Sequence, residues 1–177
     1  MNEKKYNQPQ SARASLLGRF GGAILLIFLF TSCDQDRHHD WKYVNQQWFE
    51  MQRQRIDTET GERFWQETES GLLYRIVNRG IGGDTFEYFP SIRSAVSIRY
   101  YGTMLNGNRF DSNANMTGAV GSFVPGFTEA LQKLRRNAII QVIIPYHLAY
   151  GDQGMGITIP PYSVLQFEIE LHNFWTN

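Results

Sequence analysis

Apolar and polar residues alternate with a period of two through most of the chain after residue 71. Leu72, Tyr74 and Ile76 alternate with Leu73, Arg75 and Val77. Val96, Ile98 and Tyr100 alternate with Ser97, Arg99 and Tyr101. Leu165, Phe167, Ile169 and Leu171 alternate with Gln166, Glu168, Glu170 and His172. Successive side chains of a strand point to opposite faces, so each segment predicts a half-buried strand with one wet face. Residues 138–144 are more continuously apolar and predict a buried strand. Asn106-Gly107, between 100–105 and 109–110, predicts a tight turn.

Two stretches have the helical period instead. After Pro125-Gly126, the residues Phe127, Ala130, Leu131 and Leu134 share one helical face. Arg135-Arg136 would then occupy the last turn, where cations suit the helix dipole. Upstream, Trp41, Val44, Trp48 and Met51 form an apolar stripe that predicts a helix over 41–55, packed on the domain that follows. Residues 34–40 read as a polar tether, and 57–70 as a polar stretch holding Phe64-Trp65. The expected fold is α+β, an antiparallel sheet with one short helix against one face, preceded by an N-terminal helical extension.

The first 33 residues follow another logic. Lys4, Lys5, Arg13 and Arg19 precede a short apolar run, 21–30, which is cut by Thr31-Ser32-Cys33 and polar residues. A basic region followed by a short apolar one is the secretory signal pattern. The run is shorter than the roughly 20 apolar residues of a membrane-spanning helix. Leu29-Phe30-Thr31-Ser32-Cys33 resembles a bacterial lipobox, in which a small residue precedes a cysteine that is lipidated and becomes the mature N-terminus. Ser32 fits the small position, and Phe30 departs from the usual aliphatic. The expectation is a signal peptide over 1–32, a lipidated tether and helical extension over 33–69, and a domain over 70–177. The protein would then be lipid-anchored in a bacterial envelope, with the outer membrane facing the periplasm favoured. Asp34 resembles an inner-membrane retention signal of some bacteria, so both membranes stay open.

Composition narrows the chemistry. The 177 residues carry 17 basic and 17 acidic side chains. Residues 1–32 hold four basic residues and Glu3, so 13 basic and 16 acidic residues follow them. With a pI near 6.9 and no basic run, a nucleic-acid partner is not expected. Cys33 is the only cysteine, which rules out a disulfide within the chain and a zinc site of several cysteines. His38-His39 reads as solvated rather than metal-binding, and neither metal nor cofactor is expected. No G-x-S-x-G, H-E-x-x-H or phosphate loop occurs. Many aromatics instead fall close to turns.

Four ordered segments carry a resemblance. Residues 98–112, IRYYGTMLNGNRFDS, resemble the FKBP pattern V-x-Y-x-G-x-L-x-x-G-x-x-F-D-S. Residues 123–131, FVPGFTEAL, resemble V-I-x-G-W-x-E-x-L. PYHLAYG, 145–151, resembles P-x-x-x-A-Y-G. IPPYSVLQFEIEL, 159–171, resembles I-P-P-x-x-x-L-x-F-x-V-E-L. SGLLY (70–74) and GIG (80–82) are similar to the family's first strand.

The resemblance implies a half-barrel sheet wrapped on a short helix with an apolar pocket between them. It also implies peptidyl-prolyl cis-trans isomerisation of proline-containing, unfolded or extended polypeptides. By position, Tyr100, Phe110, Phe123, Val124, Phe127 and Phe167 would line the pocket with Ile159, and Phe127 would be its floor. Asp111, Tyr150 and Ile159 would be catalytic. Tyr150 would donate its hydroxyl, and Ile159 its backbone N–H, to a substrate carbonyl, while Asp111 would polarise the amide from the pocket edge. Gly118 stands where the family carries a pocket phenylalanine. Glycines at 154 and 156 suggest a flap over the site. An active isomerase and a non-catalytic chaperone or binding module in an envelope complex both stay open. The layout of anchor, helix and domain resembles certain gliding-motility lipoproteins.

Overall fold

A computed structural model describes residues 35–83, 85 and 88–176. The expected signal peptide, the Cys33 lipidation site, Asp34 and Phe86 lie outside the described residues. In chain order the elements are α1 (Gln35–Arg53), β1 (Gln66–Glu67), β2 (Leu73–Asn78), β3 (Ala95–Met104), β4 (Arg109–Ala119), α2 (Pro125–Leu131), β5 (Ala138–Ile144) and β6 (Leu165–Trp175). The strands form one antiparallel sheet in the order β1-β2-β5-β6-β3-β4.

The alternation of the sequence becomes the two faces of this sheet. Ile140, Val142 and Ile144 of β5 join Phe167, Ile169 and Leu171 of β6 in the main core, together with Phe127, Ala130 and Leu131 of α2. Leu73 and Ile143 point the other way, into a second cluster with Trp65 and Val164. Trp48 and Phe49 of α1 pack against that second cluster. Burying each such aliphatic or aromatic side chain contributes about 1.5–3 kcal/mol.

Two glycines set how closely the layers approach. A Cβ on Gly126 would overlap the Ile144 side chain, so α2 sits directly on β5. A Cβ on Gly102 would lie 2.7 Å from the Phe167 ring and 2.8 Å from that of Phe110, so β3 leaves room there for both. The Asn106-Gly107 turn forms as expected, with Gly107 at φ 79° and the Met104 N–H donating to the Asn108 carbonyl at 3.0 Å.

The structure departs from the sequence reading in four places. First, α1 begins at Gln35, so most of the expected tether is helical. Second, its packed face differs. Val44 and Met51 are exposed, whereas Asn45 is fully buried. Asn45 lies one position along from Val44, and its amide satisfies a backbone group of the domain, which an aliphatic side chain cannot do. Third, α2 ends at Leu131, so Leu134, Arg135 and Arg136 lie beyond it. Arg136 does not serve the helix dipole but donates to the Asn173 side chain (2.6 Å) and the Phe174 carbonyl (3.2 Å). Fourth, β4 runs to Ala119, through polar residues without apolar alternation. It is an edge strand and mostly exposed, so no apolar face marks it in the sequence.

The α1 extension is stitched to the domain over long sequence distances. The Trp41 indole N–H donates to Ser163 Oγ at 3.0 Å. The Val164 N–H donates to Asn45 Oδ1 at 2.8 Å, and Asn45 Nδ2 donates to the Trp41 carbonyl at 2.8 Å. Lys42 sits over the Tyr162 ring, 4.4 Å from its centre. No helix among the described residues is long and apolar enough to cross a membrane.

Candidate active site

Between α2 and strands β3, β4 and β6 lies a cavity of about 300 Å³. Phe127 forms its base because α2 places it on the buried helix face, 3% exposed. Phe167 on β6 and Tyr100 on β3 meet it edge-on, with ring centres 5.0 and 5.7 Å away. Phe110, on β4, meets Phe167 edge-on at 5.3 Å. Edge-to-face contacts set the positive ring edge against the negative face, which orders the cluster as well as filling it. Met116 and Ser122 complete the wall, and neither is part of the sequence expectation. Met116 sits in the stretch of β4 whose polar pattern hides the strand.

Phe123 lies beside Gly118. Its ring stacks on Phe127 at 4.8 Å and 28°. A Cβ on Gly118 would lie 3.4 Å from Phe123 Cζ. Aromatic surface therefore stands beside Gly118, supplied from the α2 side rather than from β4.

The polar groups gather at one side of the cavity. The Tyr100 hydroxyl donates to Asp111 Oδ2 at 2.7 Å. This pair spans the β3–β4 hairpin, where the strand register shifts by a bulge between Ile98 and Tyr100. Such bulges re-aim side chains beside functional sites. Tyr150 joins them from the turn after β5. Burial raises the Tyr100 phenol pKa first, and the hydrogen bond and charge of Asp111 raise it further. Burial and then the charge of Asp111 raise that of Tyr150. Both phenols therefore keep their protons at neutral pH and can donate.

Asp111, Tyr150, Tyr100, Phe110, Phe123, Val124, Phe127 and Phe167 are thus brought together around one cavity. Ile159 is not among its lining residues. It is 1% exposed in the core, and its N–H donates to the Met155 carbonyl at 3.2 Å while its own carbonyl accepts from Met155 at 2.7 Å. That two-way bridge closes the 155–159 turn, leaving Ile157 exposed at its tip. Val124 does line the cavity and precedes the first turn of α2. The N–H groups there have no partner within the helix. Among the described residues no three His, Cys, Asp or Glu side chains converge as a metal site.

Comparison with known proteins agrees with this geometry. Residues 87–172 match the family of FKBP-type peptidyl-prolyl cis-trans isomerases. The chain is 37% identical over 108 residues to the FKBP-type 22 kDa peptidyl-prolyl cis-trans isomerase of Escherichia coli strain K12, covering 59% of this chain and 50% of that protein. It is 36% identical over 106 residues to the outer membrane protein MIP of Legionella longbeachae, covering 58% and 43% respectively. The chain thus spans about half the length of the curated relatives it matches. Among solved structures, the peptidyl-prolyl cis-trans isomerase of Pseudomonas syringae pv. tomato superposes with a TM-score of 0.65 at 25% identity, covering 81% of this chain and 98% of that one. FkpA from Escherichia coli superposes with a TM-score of 0.68 at 27% identity, covering 80% and 64%. Residues 87–172 are thus similar to an FKBP-type peptidyl-prolyl cis-trans isomerase domain, and the chain shares its fold with those solved structures.

Proposed function

We propose that the protein accelerates cis-trans isomerisation of X-Pro bonds in unfolded or extended polypeptides. The observation that carries this reading is the aromatic cavity with Asp111 and Tyr150 at its polar side. Rotation about an amide faces a barrier of about 18–20 kcal/mol, because it destroys resonance. No nucleophile or metal is required to lower that barrier. The cavity volume, near 300 Å³, is about ten times a water molecule's share of the liquid, ample for a five-membered ring. A twisted amide has a less polar carbonyl than a planar one, so a dry aromatic wall holds it at less cost than it holds the planar form.

The polar groups then act on that twisted state. Tyr150 donates its hydroxyl to a substrate carbonyl next to the proline. Tyr100 orients the Asp111 carboxylate, which faces the carbonyl carbon as that carbon loses electron density from nitrogen. The role expected of the Ile159 N–H passes to Val124, whose backbone lies at the cavity. Ile159 instead closes the 155–159 turn.

The experiment is a coupled isomerisation assay on proline tetrapeptides, using the full chain in detergent and a Tyr150→Phe, Asp111→Val variant. The expected result is acceleration that the variant loses by about 10²-fold, as for groups acting only in the transition state. No acceleration by folded wild-type protein, across several residues before proline, would overturn the reading and leave a binding module.

Cys33 as a lipid attachment site, with cleavage after Ser32 and residence in a bacterial envelope, belongs to the same proposal. The junction 29–33 supports it, as does the similarity to a relative named an outer membrane protein. Growth with labelled palmitate would test it: label should enter the wild-type chain and not a Cys33→Ser chain. Label in both, or in neither, would sink the anchor.

A further inference from the structure

The aromatic cavity borders an edge strand. β4 is outermost in the sheet, paired on its inner side with β3 and, among the described residues, with no strand on its outer side. Phe110, Asp111 and Met116 of β4 line the cavity. An unpaired strand edge offers N–H and C=O groups that a second chain can complete.

Which of those groups face outward follows from the ladder. The Val120 N–H donates to the Ser94 carbonyl at 2.9 Å, and Ala95 stands opposite Ala119. Opposed residues of an antiparallel pair alternate between exchanging backbone hydrogen bonds and turning those groups away. The pairs Val96–Gly118 and Ile98–Met116 therefore bond across the hairpin, while Thr117 and Ala119 turn their N–H and C=O groups outward. Both residues are exposed. The Ala119 carbonyl accepts from Ser122 Oγ at 2.7 Å; the Ala119 N–H and both Thr117 backbone groups have no partner among the described residues.

The neighbouring stretch of the edge is closed. The register shifts by a bulge between Ile98 and Tyr100, and the Asn115 N–H donates to Asn113 Oδ1 at 2.9 Å. Bulges are one way of blunting an edge, and charge and proline are others. Residues 112–119, SNANMTGA, contain neither charge nor proline. The edge is thus left open at 117–119, where Met116 lines the cavity and Gly118 adjoins Phe123.

We infer that the polypeptide flanking the substrate proline lies on this edge and pairs with Thr117 and Ala119 as a short extra strand. The inference rests on the reading of the cavity as a proline site and adds the surface that holds the rest of the client. One strand lines the cavity with its side chains and presents open backbone beside it. A second copy of this chain would also fit an open edge, but a client already held in the cavity meets it at high effective concentration. Backbone bonds are blind to side chains, so the edge would select extended, unfolded segments rather than particular sequences.

The test uses the full chain in neutral detergent with a fluorescein-labelled proline tetrapeptide, and octapeptides that extend it by four uncharged residues on one side or the other. Binding is read by anisotropy and turnover by the coupled assay. One octapeptide should bind at least about tenfold more tightly than the tetrapeptide. N-methylation of alternate flanking amides should remove that gain in one phase and spare it in the other, since every second residue of a strand faces a given neighbour. Thr117→Pro deletes the outward N–H without touching the ladder, at a position where edge strands tolerate proline. With melting unchanged, it should cut the octapeptide's advantage by about threefold to tenfold, and Thr117→Ala, which keeps the N–H, should retain it. If Thr117→Pro melts early, the two methylated peptides decide. Octapeptide binding of this kind without any acceleration of isomerisation would sink the isomerase reading and leave the edge standing. Three results would overturn the inference: no gain from either extension, equal binding of the two methylated phases, or a concentration-dependent dimer that Thr117→Pro abolishes, which would give the edge to a second copy.

Discussion

The helix α2 covers one face of the sheet with seven residues, and α1 packs on the other with nineteen. Each face carries large apolar side chains, yet the two interiors differ. Under α2 the aromatic rings meet edge-on around open space, and a tyrosine–carboxylate pair borders the cavity. Under α1 the cluster of Trp65, Leu73, Ile143 and Val164 is closed by Trp48 and Phe49, and its buried polar group is fully used. A short helix sitting tightly on β5 through Gly126 cannot reach over the far end of the sheet, and the space it leaves becomes the site. The longer helix closes its cluster with Trp48 and Phe49 and serves as a brace.

The sharpest way to break this contrast is to remove the floor of the cavity. Phe127→Ala should cost about 3–5 kcal/mol of stability, read by urea unfolding, and abolish isomerisation. A loss below about 1 kcal/mol would mean that the ring is not part of a packed core.

On the other face, Asn45→Ala leaves the buried Val164 N–H without its acceptor and should cost about 1–3 kcal/mol. Isomerisation per folded molecule should be unchanged if α1 is a brace alone. A selective fall in turnover at unchanged stability would instead tie the extension to catalysis.

Alkaline titration sharpens the difference between the faces. Folded-state values of Tyr100 and Tyr150 are raised, so above pH ~10 the unfolded chain loses protons that the folded chain keeps. The folded state then binds more protons than the unfolded one, and stability falls as pH rises. Stability should be flat with respect to these groups below that value. A Tyr100→Phe, Tyr150→Phe chain should show a shallower alkaline decline in melting temperature. An equal decline would place the titrating groups elsewhere.

The smallest expected effect is at Gly118. A methyl group there meets Phe123 at ordinary contact distance, 3.4 Å, so Gly118→Ala should change stability by no more than about 0.5 kcal/mol. A larger loss would mean that Phe123 cannot hold its place against Phe127.

Most of this contrast is visible in the sequence only where a period or a motif marks it. Strands β2, β3, β5 and β6 each bury at least one face, so their alternation marks them. β4 gives no such signal, since Asp111, Ser112, Asn113 and Asn115 reflect an exposed edge. The cavity residues are legible through ordered motifs, because Tyr100, Phe110, Asp111, Phe127 and Tyr150 keep their spacing. What a motif does not encode is where a backbone N–H points, which is why Ile159 was expected at the site although a bridge to Met155 engages its N–H. Asn45 is likewise hidden. A polar residue on a helix reads as solvent-facing until a partner 119 residues away is known.

The sheet order carries a consequence for how the molecule is assembled. β6, the last strand in sequence, lies in the middle of the sheet between β5 and β3. The β3–β4 hairpin can form from neighbouring residues, and β2 can pair with β5. Neither half can join the other before residues 165–175 have left the ribosome. The Ser163 and Val164 groups that receive α1 emerge only just ahead of that strand. Contacts so distant in sequence form slowly. The sheet therefore closes only once residues 165–175 are available, with the rings around Phe127 uncovered until that strand slots in.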